Sequence, residues 1–293
     1  MKVFCIGNGE SRKLLDLNMF KPHGKTYGCN ALYRDFTSDV LISVDQGIMH
    51  EIYQSGYCDK NETWFRNWTR VPGMSYESLV YGSMSDADKQ VLNKHESSKQ
   101  ENDRGDRQEF VFHGSNLAGT VNVLKTTKEI TKQEVNHTST FVSWVSENDK
   151  ANCLNDLVSG EDDRGYACGP SSGRVALINE KDLQEIYLIG HDLVSNDYQL
   201  NNMYKGTKFY GLPENEATPP VNWISQWKTL MEEHQKVTFY KVNPEGNNGT
   251  TQVSSNIDEW NTCKNVKYIT YQNTLDKFAK AWYTTSINNN DSD

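Results

Sequence analysis

The sequence predicts an α/β protein built on a Rossmann-like parallel sheet, with a polar insertion and a C-terminal helical and lid region. Three observations predict it. Short, almost wholly apolar runs recur with helix-length segments between them, which is how strands buried on both faces read. The first of these runs passes straight into a glycine turn. Four runs end in small or polar residues, as strands do where an open parallel sheet meets its ligand.

Taken in order, Lys2–Ile6 is the first strand, running into Gly7-Asn8-Gly9, and Ser11–Leu17 begins a helix. Lys25–Cys29 is a second strand that opens onto Asn30. The run Asp39–Asp45 is a third, apolar until it closes on Asp45, with a helix over Ile48–Ser55 after it. From about Met74 to Asp163 the alternation weakens, so 74–163 reads as an insertion or variable region. Within it Ser85–Gly105 is solvated, and Phe110–His113 and Thr140–Ser146 are strands of open register. Regularity returns at Gly165. Gly169-Pro170-Ser171-Ser172-Gly173 precedes a helix over Arg174–Asn179, and Glu185–Gly190 is a strand ending in His191-Asp192. The polar stretch 196–220 reads as a lid. Trp223–His234 is a helix with Trp223, Trp227, Leu230 and Met231 on one stripe. A strand over Val237–Val242, a last helix over Asp276–Trp282 and a disordered tail at 288–293 complete the chain. Residues 1–293 are expected to form a single Rossmann-like domain without internal repeats.

Composition narrows the function. A net charge of −9 repels a phosphate backbone and argues against general nucleic-acid binding, while leaving room for a local basic pocket. No run is apolar for long enough to cross a bilayer, and the N-terminus reads as a strand rather than a signal peptide. The expectation is a cytoplasmic protein with reduced thiols. Its six cysteines form no CxxC pair, so no zinc site is expected. On the same grounds the Asn-x-Ser/Thr matches at Asn61, Asn67, Asn136 and Asn248 are incidental.

The strand ends carry the candidate chemistry. Gly7 and Gly9 permit positive φ and close backbone approach, and Ser11 can cap a helix and leave amides open to an anion. The same glycines serve turn geometry alone in many proteins. Asn30 offers a donor and an acceptor to a ribose or base, or else holds a tight turn. Asp45 is a candidate base or ligand to a ribose hydroxyl, or a helix N-cap. Ser171, Ser172 and Gly173 form either a second anion cradle or a plain helix start. Adjacent residues at a strand end point apart, so His191 and Asp192 are not read as a dyad. His191 remains a candidate acid or base, and Asp192 is structural or orients a ligand. In the lid stretch, Tyr204, Lys205 and Tyr210 can close over a phosphate, or anchor an ordinary loop.

These motifs in this order resemble the bacterial sialyltransferases that use CMP-sialic acid and the related MptE-like (6-hydroxymethylpterin pyrophosphokinase-like) superfamily. The shared features are a first strand ending in GNGxS, a second ending in Cys-Asn, and a late Ser-Gly helix followed by EIYLIGHD. The resemblance covers the first fifty residues and roughly Gly165–Asp197. It implies that Gly7, Asn8, Gly9, Ser11 and Asn30 contact a nucleotide, that Ser172 and Gly173 line its other side, and that Asp192 closes the strand end. Glu10 stands where the family has proline. No histidine lies between Asp192 and His234, where those sialyltransferases carry their base.

The leading expectation is therefore a glycosyltransferase that moves a sugar from a nucleotide-sugar donor to a glycan or other small acceptor. It would work without a metal cofactor, because no DxD motif closes a strand. Asp45 or His191 would serve as base, and Tyr204, Lys205 and Tyr210 would meet the leaving group. A pyrophosphokinase-like phosphotransferase using ATP and Mg, with Asp45 and Asp192 as carboxylates, is the first alternative. A non-catalytic nucleotide-binding protein is the second.

Overall fold

The computed structural model describes residues 1–66, 68–72, 109–113, 133–135, 138–144, 148–157, 165–193, 199–244 and 256–279. They fold as two compact units, residues 1–42 with 164–293 and residues 43–163. The expected insertion at 74–163 falls within the second unit, most of it outside the described residues. Ser85–Gly105 and the tail at 288–293 also lie outside them.

The first unit is built on parallel strands. β1 (Lys2–Ile6) pairs on one side with β2 (Lys25–Cys29) and on the other with β10 (Glu185–Ile189). These three are buried beyond their first residues. Beyond β2 lies β3 (Val40–Ser43), and beyond β10 lie β11 (Thr238–Asn243) and β12 (Val266–Thr270). With β4 (Glu62–Phe65) and β9 (Ala151–Cys153) of the second unit, the order across this eight-stranded parallel sheet is β12-β11-β10-β1-β2-β3-β4-β9.

Register divides the apolar residues between two faces. Phe4, Tyr187 and Tyr240 are register partners, and their rings lie 5.2 and 4.6 Å apart. Phe20 and Phe278 close over them, with Phe278 on a helix spanning residues 271–279. On the opposite face Cys5, Leu188 and Lys241 are in register, so a lysine occupies a row that is otherwise apolar. Helices α2 (Cys168–Asn179) and α3 (Val221–Glu233) cover this face, and Trp227 of α3 meets Phe239 edge-on at 6.4 Å.

In the second unit α1 (Gln46–Gln54) follows β3. The strands β5 (Trp68–Pro72), β6 (Glu109–His113), β7 (Gln133–Val135) and β8 (Thr138–Trp144) make an antiparallel sheet in the order β5-β6-β8-β7. The two segments left without register are thus neighbours, Phe110 opposite Trp144 and His113 opposite Phe141.

Several elements differ from expectation, among them the last helix, which starts at residue 271 rather than Asp276. The segment after Gly9 is not an α-helix but two short 3-10 turns, Glu10–Leu14 and Leu17–Phe20. Helix α2 starts at Cys168 rather than Arg174, so Gly169 to Gly173 lie inside it. Proline is tolerated there because Pro170 sits in the first turn, where no intrahelical N–H is required. On α3 the buried stripe is Ile224, Trp227, Leu230 and Met231, and Trp223 is only half-buried. No helix among the described residues is long and apolar enough to cross a membrane.

Candidate functional site

Strand order fixes where this sheet can hold a ligand. From β1 the chain moves outward through β2 and β3, then returns to β10 on the other side of β1 and moves out through β11 and β12. The reversal lies between β1 and β10, and ligands of doubly wound sheets lie beyond the carboxyl ends of the strands at such a point. The two loops there are Gly7-Asn8-Gly9 and Gly190-His191-Asp192.

The loops are joined by their backbones. The N–H of Gly7 donates to the Ile189 carbonyl and that of Gly9 to the Gly190 carbonyl, both at 2.8 Å. A Cβ on Gly7 would lie 2.6 Å from the Gly190 oxygen, and one on Gly9 would lie 2.4 Å from Asp192 Oδ2. Neither glycine adopts the left-handed conformation, so their small size is what the site uses. Gly190, at φ +65°, does use it. The amides expected to face an anion are engaged within the protein. Glu10 N–H donates to Asn201 Oδ1 at 2.7 Å, and Ser11 N–H to Asp192 Oδ2 at 3.2 Å. Ser11 is therefore not a helix cap, and Gly9 holds that position.

Asp192 is the hub of the edge. It is 5% exposed, and it accepts from the amide and hydroxyl of Ser11 and from Asn201 Nδ2 at 2.6 Å. Its charge also acts on Lys241, whose ammonium donates to Asn243 Oδ1 at 2.7 Å. Burial lowers Lys241 to about 8, against the opposing pull of Asp192.

The lid stretch closes on itself and docks on this edge. Leu200 N–H donates to the Asn215 carbonyl at 2.9 Å, and Gly206 N–H to the Gly211 carbonyl at 2.7 Å. The Met203 amide reaches the Asn8 carbonyl at 2.8 Å. The Tyr204 hydroxyl accepts from Arg12 Nη2 at 2.7 Å and donates to Asp35, while Arg12 grips the same carboxylate at 3.0 and 3.2 Å. Burial, then Asp35 working against Arg12, raises the Tyr204 phenol. Arg34 lies over the rings of Tyr204 and Tyr210 and donates to Thr207 Oγ1 at 2.7 Å. The Tyr210 hydroxyl stands 3.4 Å from the Ala31 amide. Lys205 pairs with Glu10 at 3.0 Å. Although the chain is acidic overall, Lys13, Arg34, Lys205 and Lys208 gather here. So do the three non-glycine residues with left-handed φ among the described residues, Asn30, Leu193 and Phe209. Such conformations cost roughly 1–3 kcal/mol each and cluster at functional sites.

Asn8, Arg12, His191, Trp227 and Tyr271 each bury a polar side-chain atom that has no hydrogen-bond partner among the described residues. Asn8 gives Nδ2 to the Cys29 carbonyl at 3.1 Å, which leaves the buried Oδ1 without a donor. His191 Nε2 is another. The His191 ring is wedged between Gly7 and Gly169 and meets Trp227 edge-on at 5.3 Å. It points away from Asp192's partners, so the two residues diverge as expected. Burial, then Lys241, lowers His191 to about 3, with the Cys5 backbone opposing. Unfolded, the ring titrates near 6.5. Stability is therefore complete above that value and falls as pH drops toward 3, by up to about 1.4 kcal/mol per pH unit. Urea unfolding across this range should show that slope reduced in His191→Gln. An identical slope in the variant would exclude His191 as its source.

Ser171 and Ser172 direct their hydroxyls to the carbonyls of Tyr166 and Gly169, at 3.1 and 2.6 Å, and Gly173 faces Trp227. Asp45 belongs to the second unit, where it is the N-cap residue of α1 without a side-chain capping bond. Among the described residues no three His, Cys, Asp or Glu side chains are grouped to hold a metal. Sequence reasoning missed Arg12, Asp35, Asn201 and Lys241. Of these only Lys241 left a signal, a charge within an apolar strand. Comparison with protein-family models, curated proteins and solved structures gives no significant match to this chain.

Proposed function

We propose that the chain is a metal-independent glycosyltransferase acting on a nucleotide-linked sugar, with the nucleotide against the β1 and β10 loops. The observation that carries this reading is the unpartnered Oδ1 of Asn8 at the reversal point. A buried acceptor without a donor is costly, and a ribose hydroxyl or the amino group of a base would satisfy it. The cationic groups on the adjoining lid suit the charge of a departing nucleoside phosphate. His191 is unprotonated at neutral pH and so can accept a proton, though as a weak base. That weakness favours a second reading, a protein that binds the nucleotide without transferring the sugar.

Thermal-shift and calorimetric titration with CMP, UDP, GDP and ATP, with and without magnesium, tests the binding. At least one nucleotide should stabilise the wild type without metal, and Asn8→Ala should weaken it tenfold or more, about 1.4 kcal/mol for a lost buried hydrogen bond. If no nucleotide binds, both readings fail. Binding without release of the nucleotide from its sugar conjugate selects the second. Stabilisation by ATP only with magnesium would favour a phosphotransferase instead.

A further inference from the structure

The amides of Gly7, Gly9, Glu10 and Ser11 are engaged within the protein, yet Lys13 and Lys205 stand here with one carboxylate between them. Glu10 is 4% exposed. Lys13 donates to its Oε1 at 2.6 Å, and Lys205 donates to its Oε2 at 3.0 Å. Each carboxylate oxygen thus holds one lysine, the first from the β1 loop's own 3-10 turn and the second from the lid. Burial pushes Glu10 up, and Lys13 and Lys205 more than reverse this, so the carboxyl lies below its ordinary range. A phosphate bridging the same two ammonium groups would present the same arrangement of oxygens with more charge.

We propose that Glu10 is an internal competitor for the phosphate of the ligand, holding Lys13 and Lys205 in the free protein and yielding them when the ligand binds. This rests on the nucleotide reading above. The exchange is intramolecular on one side, so the carboxylate acts at a high effective concentration and lowers the affinity for a free phosphate. It does not require the lid to detach. Met203 on the Asn8 carbonyl, Tyr204 on Arg12 and Asp35, and Arg34 on Thr207 all hold the lid without Glu10. In the Lys205–Glu10 pair the lid's ammonium meets a carboxylate that a phosphate can replace in kind.

The test is Glu10→Gln, which keeps the side-chain shape and removes its charge. Calorimetric titration with the nucleotide panel and with inorganic pyrophosphate should show roughly tenfold tighter binding to the variant than to the wild type. Adding Lys205→Met to Glu10→Gln should abolish the gain, with thermal unfolding confirming that both variants fold. Nucleotide affinity that is equal or weaker in Glu10→Gln overturns the competitor and leaves the nucleotide reading standing. A gain that survives Lys205→Met also overturns it. Absence of binding to both proteins overturns the two together.

Discussion

Replacing Asp192 by alanine is expected to lower the free energy of unfolding by about 3–5 kcal/mol, the cost typical of breaking a buried charged network from one side. The side chain is 5% exposed and accepts from Ser11 twice and from Asn201. Alanine leaves these donors in a space that the β1 and β10 loops close, and each buried donor without a partner costs about 1–3 kcal/mol. It also removes the negative charge that opposes the desolvation of Lys241, itself 1% exposed. Asp192→Asn separates the two contributions. The amide oxygen can still accept a hydrogen bond, while the charge is gone, so about half of the loss should remain. Urea unfolding of both variants at neutral pH checks this. A loss below about 1 kcal/mol for alanine would mean that the hub is dispensable. Equal losses for alanine and asparagine would assign the whole effect to charge.

The fold was legible because buried parallel strands leave a nearly continuous apolar record. Lys2–Ile6 and Lys25–Cys29 appear in the structure with the bounds read from sequence. The third strand was read too long because Asp39 and Asp45 were taken as its ends, and only Val40–Ser43 pairs. Helix α2 was read too short for the opposite reason. Glycine and proline signal interruption locally, while the packing that tolerates them lies far away in sequence.

The location of the candidate site was legible in the same way, from strands that end in small or polar residues. What fills it was not. Ser11 meets Asp192 across 181 residues, and Asp35 meets Tyr204 across 169. No local period records such pairs. The glycine loop was therefore read as open to an anion, when Asp192 and Asn201 already take its amides. Lys205 was read as facing a leaving group, and it is Glu10, the departure from the GNGPS pattern, that holds it.

Gly173 shows how a glycine in a motif can be assigned by experiment. Its place in the Ser-Gly pattern implied contact with a nucleotide, but a Cβ there would lie 2.4 and 2.5 Å from Cζ3 and Cη2 of Trp227. That indole is fully buried and is fixed by Phe239 and His191 around it. It has no free side on which to move, so Gly173→Ala should cost about 3 kcal/mol, at the upper end of ordinary overpacking. Trp227→Phe removes the part of the ring that the methyl would strike. Alone it should destabilise by leaving a cavity, but combined with Gly173→Ala the losses should fall short of their sum by at least about 1 kcal/mol. Urea unfolding of the two single variants and the double variant closes the cycle. Strict additivity would mean that the helices shift apart rather than clash at this contact. If instead Gly173→Ala left stability unchanged and abolished nucleotide binding, the glycine would belong to the ligand and not to the packing of α2 on α3.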